Sequence, residues 1–209
     1  LVRYEHASEA ALERAAAWAV RLGKRVVRTR DKAGFVVNRL QRAWLSGALR
    51  LLEEGRGTPA PLDAALRSQA GFHAGPFETI DARGLLEDLH MGETIHELLG
   101  RPDRLVPSPV QRKLLARGCR GRRNGRGFYS YLESPPGTVN PLISEFVPER
   151  GGADFDASAA AAAGCSAALV EARAIVDEGV AGPDDVEEAA RLGLFWPRGP
   201  LAWAKEAGR

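Results

Sequence analysis

Methionine occurs once in these 209 residues, cysteine twice, tyrosine three times and histidine four times. Cys119 and Cys165 stand 46 residues apart, with no CxxC and no Cys/His spacing around them. A zinc site or a disulfide framework is therefore not expected, and a reducing cytoplasmic setting is the simplest one. No apolar run approaches about 18 residues, and the start does not resemble a signal peptide, so no membrane partner is expected. An excess of one charge is also missing: 29 Lys and Arg against 27 Asp and Glu leave +2. That argues against a uniformly basic nucleic-acid coat and against an acidic tail. GxGxxG, P-loop and GxSxG motifs are absent, as is any Ser/His/Asp set, so the chain by itself has no dinucleotide fingerprint. His90, Glu93 and His96 fall at i, i+3 and i+6, whereas a helical HExxH site needs its histidines at i and i+4, so no metal is expected.

What remains is globular: 44% hydrophobic and 27% charged residues, enough chain for one ordinary domain or two small ones. Residues 8–22 are rich in strong helix formers, with Ser8 as N-cap and Gly23 as stop. Arg25–Thr29 is short and β-branched and reads as a strand, and Leu1–Tyr4 as the tail of another. Together they suggest the closing β-α-β of an α/β sheet, in a chain that reads as a piece of a longer protein. From Asp31 onward helix follows helix. Residues 35–54 carry a 3.6-period stripe through Val37, Leu40, Trp44, Ala48, Leu51 and Leu52, closed by Gly55. Further helices are expected over 61–69, 76–86, 88–99, 108–117, 158–178 and from Asp184. Residues 132–154, with four prolines and several glycines, suit a linker or loose loop.

The chain also repeats itself at an offset of 124 residues. Glu54-Gly55 matches Glu178-Gly179, Pro59 matches Pro183, and Leu62-Asp63 matches Val186-Glu187. Gly75-Pro76 likewise matches Gly199-Pro200. The unit is a helix, a Glu-Gly stop, a Pro-started helix, a Gly-Pro turn and another helix. The second copy is incomplete.

Two places carry candidate chemistry. Asn38 lies just inside an otherwise apolar helix start, Asp31-Lys-Ala-Gly-Phe-Val-Val-Asn-Arg-Leu40. An amide there would be costly to bury unpaired and has donors and an acceptor to aim. It could equally be a cap or a surface Asn. Residues 117–126 hold five Arg and three Gly, which would suit a phosphate or RNA contact or a solvated glycine turn. No aromatic side chain interleaves them, and nucleic acid is not expected as a partner.

The run Asp31-x-x-Gly34-Phe35-Val36-Val37-Asn38-Arg39-Leu40 resembles the opening of the C-terminal domain of the 3-hydroxyacyl-CoA dehydrogenases. Ala48-x-x-Leu51-Leu52-Glu53-Glu54-Gly55, Asp63-x-Ala65 and Gly75-Pro76-Phe77-x-x-x-Asp81-x-x-Gly84-Leu85 fit in order. Gly121-Arg-Arg-Asn-Gly125-Arg-Gly127-Phe128-Tyr129-Ser-Tyr131 resembles the closing turn. The segment from Val180 to Ala204 resembles the second copy of tandem members. Ser46-Gly47, where Glu-Ala is usual, and His73, where Pro is usual, depart from the pattern.

The resemblance implies a mainly α fold like the C-terminal domain of 6-phosphogluconate dehydrogenase, preceded by the last β-α-β of a Rossmann domain. The implied division is 1–30 for that Rossmann tail, 31–131 for the helical domain, 132–154 for a linker and 155–209 for the partial second copy. It implies an NAD-dependent oxidation of (S)-3-hydroxyacyl-CoA to 3-oxoacyl-CoA, as in β-oxidation, by a homodimer with an acyl-CoA substrate. NAD belongs to the preceding domain, together with a His that takes the hydroxyl proton and a Glu that orients it. Ungapped alignment places that Glu immediately before Leu1; a gapped one would put Arg3 there. By motif match Asn38 is the Asn that positions the His and the substrate oxygen. On this reading the chain alone is inactive. The rival from another class is a helical acyl-CoA-binding or dimerisation module without catalysis.

Overall fold

The structure, a computed structural model, describes residues 1–132, 137–148 and 155–207. It is mainly helical, in two compact units: Leu1–Gln41 with the segment from Leu169 onward, and Arg42–Ala168. Two helices, α2 (Val37–Glu53) and α8 (Ala157–Asp177), run through both units.

In the first unit, β1 (Val2–Arg3) and β2 (Thr29–Arg30) pair in parallel, Val2 opposite Thr29, across helix α1 (Glu9–Arg21). This is the expected β-α-β unit. Ser8 caps α1 by accepting from the Ala11 N–H at 3.2 Å, and Gly23 takes the left-handed turn at φ 72°. The second strand lies later than expected from Arg25–Thr29, because only Thr29 and Arg30 face residues of β1. The Arg30 N–H then continues to the Val180 carbonyl at 2.8 Å, and the Arg28 N–H goes to Asp185. The rest of the unit is α9 (Pro183–Glu188), a π-helical turn over Ala189–Gly193, and α10 (Pro200–Ala207).

The second unit holds α3 (Pro59–Ala70), α4 (Pro76–Arg83), α5 (Leu85–Leu98) and α6 (Pro109–Ala116). Their apolar faces bury Leu45, Leu52, Leu62, Phe77, Leu105 and Phe128 completely. Each such side chain contributes about 1.5–3 kcal/mol. Trp44, Ala48, Leu51 and Leu52 are buried as the stripe on α2 requires. The α4–α5 break falls at Gly84, not after Leu86, because Gly84 adopts φ 106°, a value denied to side-chain-bearing residues.

Residues 137–148 are not loose, contrary to the linker expectation. Strand β4 (Thr138–Val139) pairs antiparallel with β3 (Tyr129–Ser130), and Ile143 of α7 (Ile143–Phe146) is buried. The Asn140 amide donates to the Gly127 carbonyl at 2.8 Å, which ties the segment to the closing turn. The remaining linker residues, 133–136 and 149–154, lie outside the described residues.

Helix α8, 21 residues long, contains an 18-residue stretch of mean hydropathy 1.5, long and apolar enough by composition to cross a bilayer. The sequence reading did not foresee this, because alanine rather than leucine makes it apolar. In its first half, small residues allow close packing: a Cβ on Gly47 of α2 would stand 2.7 Å from Ala167 Cβ. The departure at Ser46-Gly47 thus serves packing.

Candidate functional site

Asn38 owes its position to a tight turn. The Phe35 N–H donates to the Lys32 carbonyl at 2.9 Å, and Gly34 and Phe35 both adopt positive φ, 75° and 47°. Glycine does this freely, whereas a phenylalanine there is strained by about 1–3 kcal/mol. Val36, 2% exposed, anchors the turn, and its carbonyl accepts the first helical bond of α2 from the Leu40 N–H at 3.0 Å. Asn38 sits one residue inside that helix, exposed, and no protein group partners its amide among the described residues. It is therefore neither a side-chain cap nor part of the core. Its donors are free for a ligand, beside the positive end of a 17-residue helix.

The next residue does the opposite. Arg39 is fully buried and donates Nε to Glu171 Oε1 at 2.5 Å, Nη1 to Glu178 Oε2 at 2.7 Å and Nη2 to Glu178 Oε1 at 3.1 Å. Burial works against the Arg39 charge, but the hydrogen bonds and charges of the two glutamates outweigh it and raise its pKa. The sequence reading missed this trio, although an Arg three residues after the buried Val36 and four before the buried Ala43 stands on the core stripe.

The second unit holds carboxylates that are perturbed but inward-facing. Asp63 accepts from the Phe77 and Glu78 N–H groups and from the Tyr129 hydroxyl, at 3.0, 3.0 and 2.8 Å. Asp81 accepts from the Phe128 and Tyr129 N–H groups and the Tyr131 hydroxyl, at 2.9, 3.0 and 3.1 Å. Burial pushes Asp63 up to about 7 and Asp81 up to about 6, against hydrogen bonds that favour the charged forms. Both are fully buried with both oxygens engaged, so they cap and clamp backbone and do not face substrate. Asp88 plays a similar part for Arg42, Arg83 and Gln111.

The other sequence candidates are not brought together into a site. Arg117 pairs with Glu145, Arg123 pairs with Glu87, and Arg122 lies over the Tyr131 ring, so the arginine-rich turn spends these charges on its own fold. Glu93 pairs with Arg112, while His96 keeps a buried Nε2 that has no hydrogen-bond partner among the described residues. A dinucleotide does not fit the residues present: the β1–α1 connection, Tyr4-Glu5-His6-Ala7, contains no glycine and carries a carboxylate.

A helix opened by a strained Gly-Phe turn thus presents an exposed amide just after a parallel β-α-β unit. The family described as "3-hydroxyacyl-CoA dehydrogenase, C-terminal domain" matches residues 34–131 and 164–209, and the chain belongs to it. Mitochondrial hydroxyacyl-coenzyme A dehydrogenase of Sus scrofa is 35% identical over 131 residues, covering 63% of this chain and 42% of that protein. The 3-hydroxyadipyl-CoA dehydrogenase of Escherichia coli is 27% identical over 263 residues, covering 89% and 55%. The chain thus spans about two fifths to just over half of these relatives. Among solved structures, 3-hydroxybutyryl-CoA dehydrogenase from E. coli K12 shares the fold, with TM-score 0.83 and 22% identity over 99% of this chain and 60% of that one.

Proposed function

We propose that this chain is the substrate-side part of an NAD-dependent (S)-3-hydroxyacyl-CoA dehydrogenase, with Asn38 as its contribution to the reaction centre. The carrying observation is the exposed, unpartnered Asn38 amide on the first turn of α2, inside the segment where the family match begins. A neutral amide can donate to an oxygen that gains negative charge as a hydroxyl becomes a carbonyl, and it does so without titrating. NAD, with the His and Glu of the chemistry, is assigned to a domain outside this chain. On this reading residues 1–30 are the Rossmann tail, 31–131 the helical domain and 155–209 the second copy, in a cytoplasmic protein. The homodimer belongs to the same reading, but its interface must lie away from the Gly47 face of α2, which α8 already covers.

In the full-length protein, Asn38→Ala should lower kcat by about 10²–10³ while leaving the melting temperature and NAD affinity unchanged. Asn38→Asp should be at least as harmful, because it removes the donors and adds a negative charge beside the reacting oxygen. Unchanged kcat in Asn38→Ala would favour the rival, a helical acyl-CoA-binding or dimerisation module.

A further inference from the structure

Both chain neighbours of Asn38 are gripped by the C-terminal segment of the same unit. Arg39 commits all three guanidinium nitrogens to Glu171 and Glu178. Those two residues lie seven positions apart, two helical turns, along and just beyond α8. Val37 packs against Gly193, where an added Cβ would stand 2.9 Å from Val37 Cγ2. Gly193 closes the π-helical turn, a rare arrangement that recurs at functional positions, and brings a residue without a side chain to Val37.

Asn38 itself is exposed, and its amide has no hydrogen-bond partner among the described residues. An amide that must meet a developing charge is effective only when its location is set in advance, so its backbone has to be held from the flanks. A buried ion pair is weak evidence for stability, since apolar replacements are often as stable, but its planar fork fixes orientation.

We propose that the second copy is a positioning device for Asn38. The Arg39–Glu171–Glu178 bridge would set the rotation of the first turn of α2, and the Val37–Gly193 contact its height. Arg39, Glu178 and Gly193 are then positioning residues for the reaction, and the inference rests on the substrate-facing reading of Asn38.

The test uses the full-length enzyme with Glu178→Gln, Gly193→Ala, Asn38→Ala and the two doubles with Asn38→Ala. Glu178 is 38% exposed, so its amide variant should keep the fold. Each positioning variant should lower kcat about 10- to 100-fold with the KM for NAD unchanged. In the Asn38→Ala background neither should lower kcat further, because the group they position is gone. Effects that multiply in the doubles would overturn the proposal, since the network would then act elsewhere. So would full kcat in both single variants when Asn38→Ala is slow. If Asn38→Ala itself keeps full kcat, the reading of Asn38 falls, and the positioning role with it. Should Glu178→Gln not fold, Gly193→Ala, which leaves the ion pair intact, decides alone.

Discussion

Asp63 and Glu187 stand at matching places in the two copies, 124 residues apart, and perform the same act with different force. Each carboxylate caps the helix that follows a Gly-Pro pair: Asp63 takes the Phe77 and Glu78 N–H groups, and Glu187 takes the Leu201 N–H at 2.7 Å. Each also faces the glycine before that proline, Gly75 or Gly199, so closely that a Cβ would overlap the carboxyl group. In the first copy the chain goes on to the closing turn, which returns Tyr129 to Asp63 and seals it completely. Glu187, one methylene longer, stays half-buried, and among the described residues no hydroxyl reaches it. The same frame therefore yields a deep clamp in one copy and an ordinary cap in the other, and desolvation makes the difference.

Removing the carboxylates should show this most strongly. Asp63→Ala strips three buried donors of their acceptor and should cost about 3–5 kcal/mol, a fall in melting temperature of roughly 10 °C or more. Glu187→Ala should cost about 1 kcal/mol, the usual value of a cap. Equal losses in thermal unfolding would mean that burial does not distinguish the copies. Alanine at the facing glycines comes next. Gly75→Ala pushes on an Asp63 held by three hydrogen bonds and should destabilise by about 2–4 kcal/mol. Gly199→Ala pushes on a side chain that can swing toward solvent and should cost less than about 1.5 kcal/mol. A urea titration of both variants checks the order.

The smallest effect is the pH dependence. Asp63 near 7 and Asp81 near 6 lie above the ordinary 3.8, so the folded state keeps protons that the unfolded chain has already released. Their contribution to stability is complete at acid pH and is lost as pH rises from about 4 to about 7. The unfolding free energy from urea titration should fall between about pH 5 and pH 7.5 by at least roughly 1 kcal/mol, and the midpoint with it. Asp63→Asn should flatten that slope and Glu187→Gln should leave it. A midpoint that rises over this interval would contradict the assignment.

Much of this was legible in one dimension because it is local. Ser8 before a run of helix formers, Pro76 opening a helix, and the stripe Trp44–Leu52 each depend on neighbours within a few residues. The repeat was legible as well, because the Gly-Pro pairs and the acidic residue 12 positions before each glycine recur without a gap. Asn38 was visible as a polar residue at an apolar helix start, but its exposure was not. Whether an amide faces core or solvent depends on what packs beside its helix.

The linker misled for a related reason. Prolines and glycines over 132–154 report the absence of a repeating local pattern, whereas β4 exists because Thr138 and Val139 pair with Ser130 and Tyr129. The Arg39 bridge is further beyond local reading: its partners lie 132 and 139 residues away, and nothing in Arg39's own surroundings names them.

The sequence by itself determined that helix follows helix after Asp31, that one helical pattern recurs at an offset of 124, and which family the chain belongs to. These follow from capping, periodicity and motif order, whose energies act between residues close in the chain. Tertiary structure alone decided that Asn38 is free while Arg39 beside it is buried, and that Asp63 is sealed while Glu187 is not. A side chain's charge state and freedom are set by the solvent it loses, and in this fold that solvent is displaced by segments more than a hundred residues distant or by a returning turn.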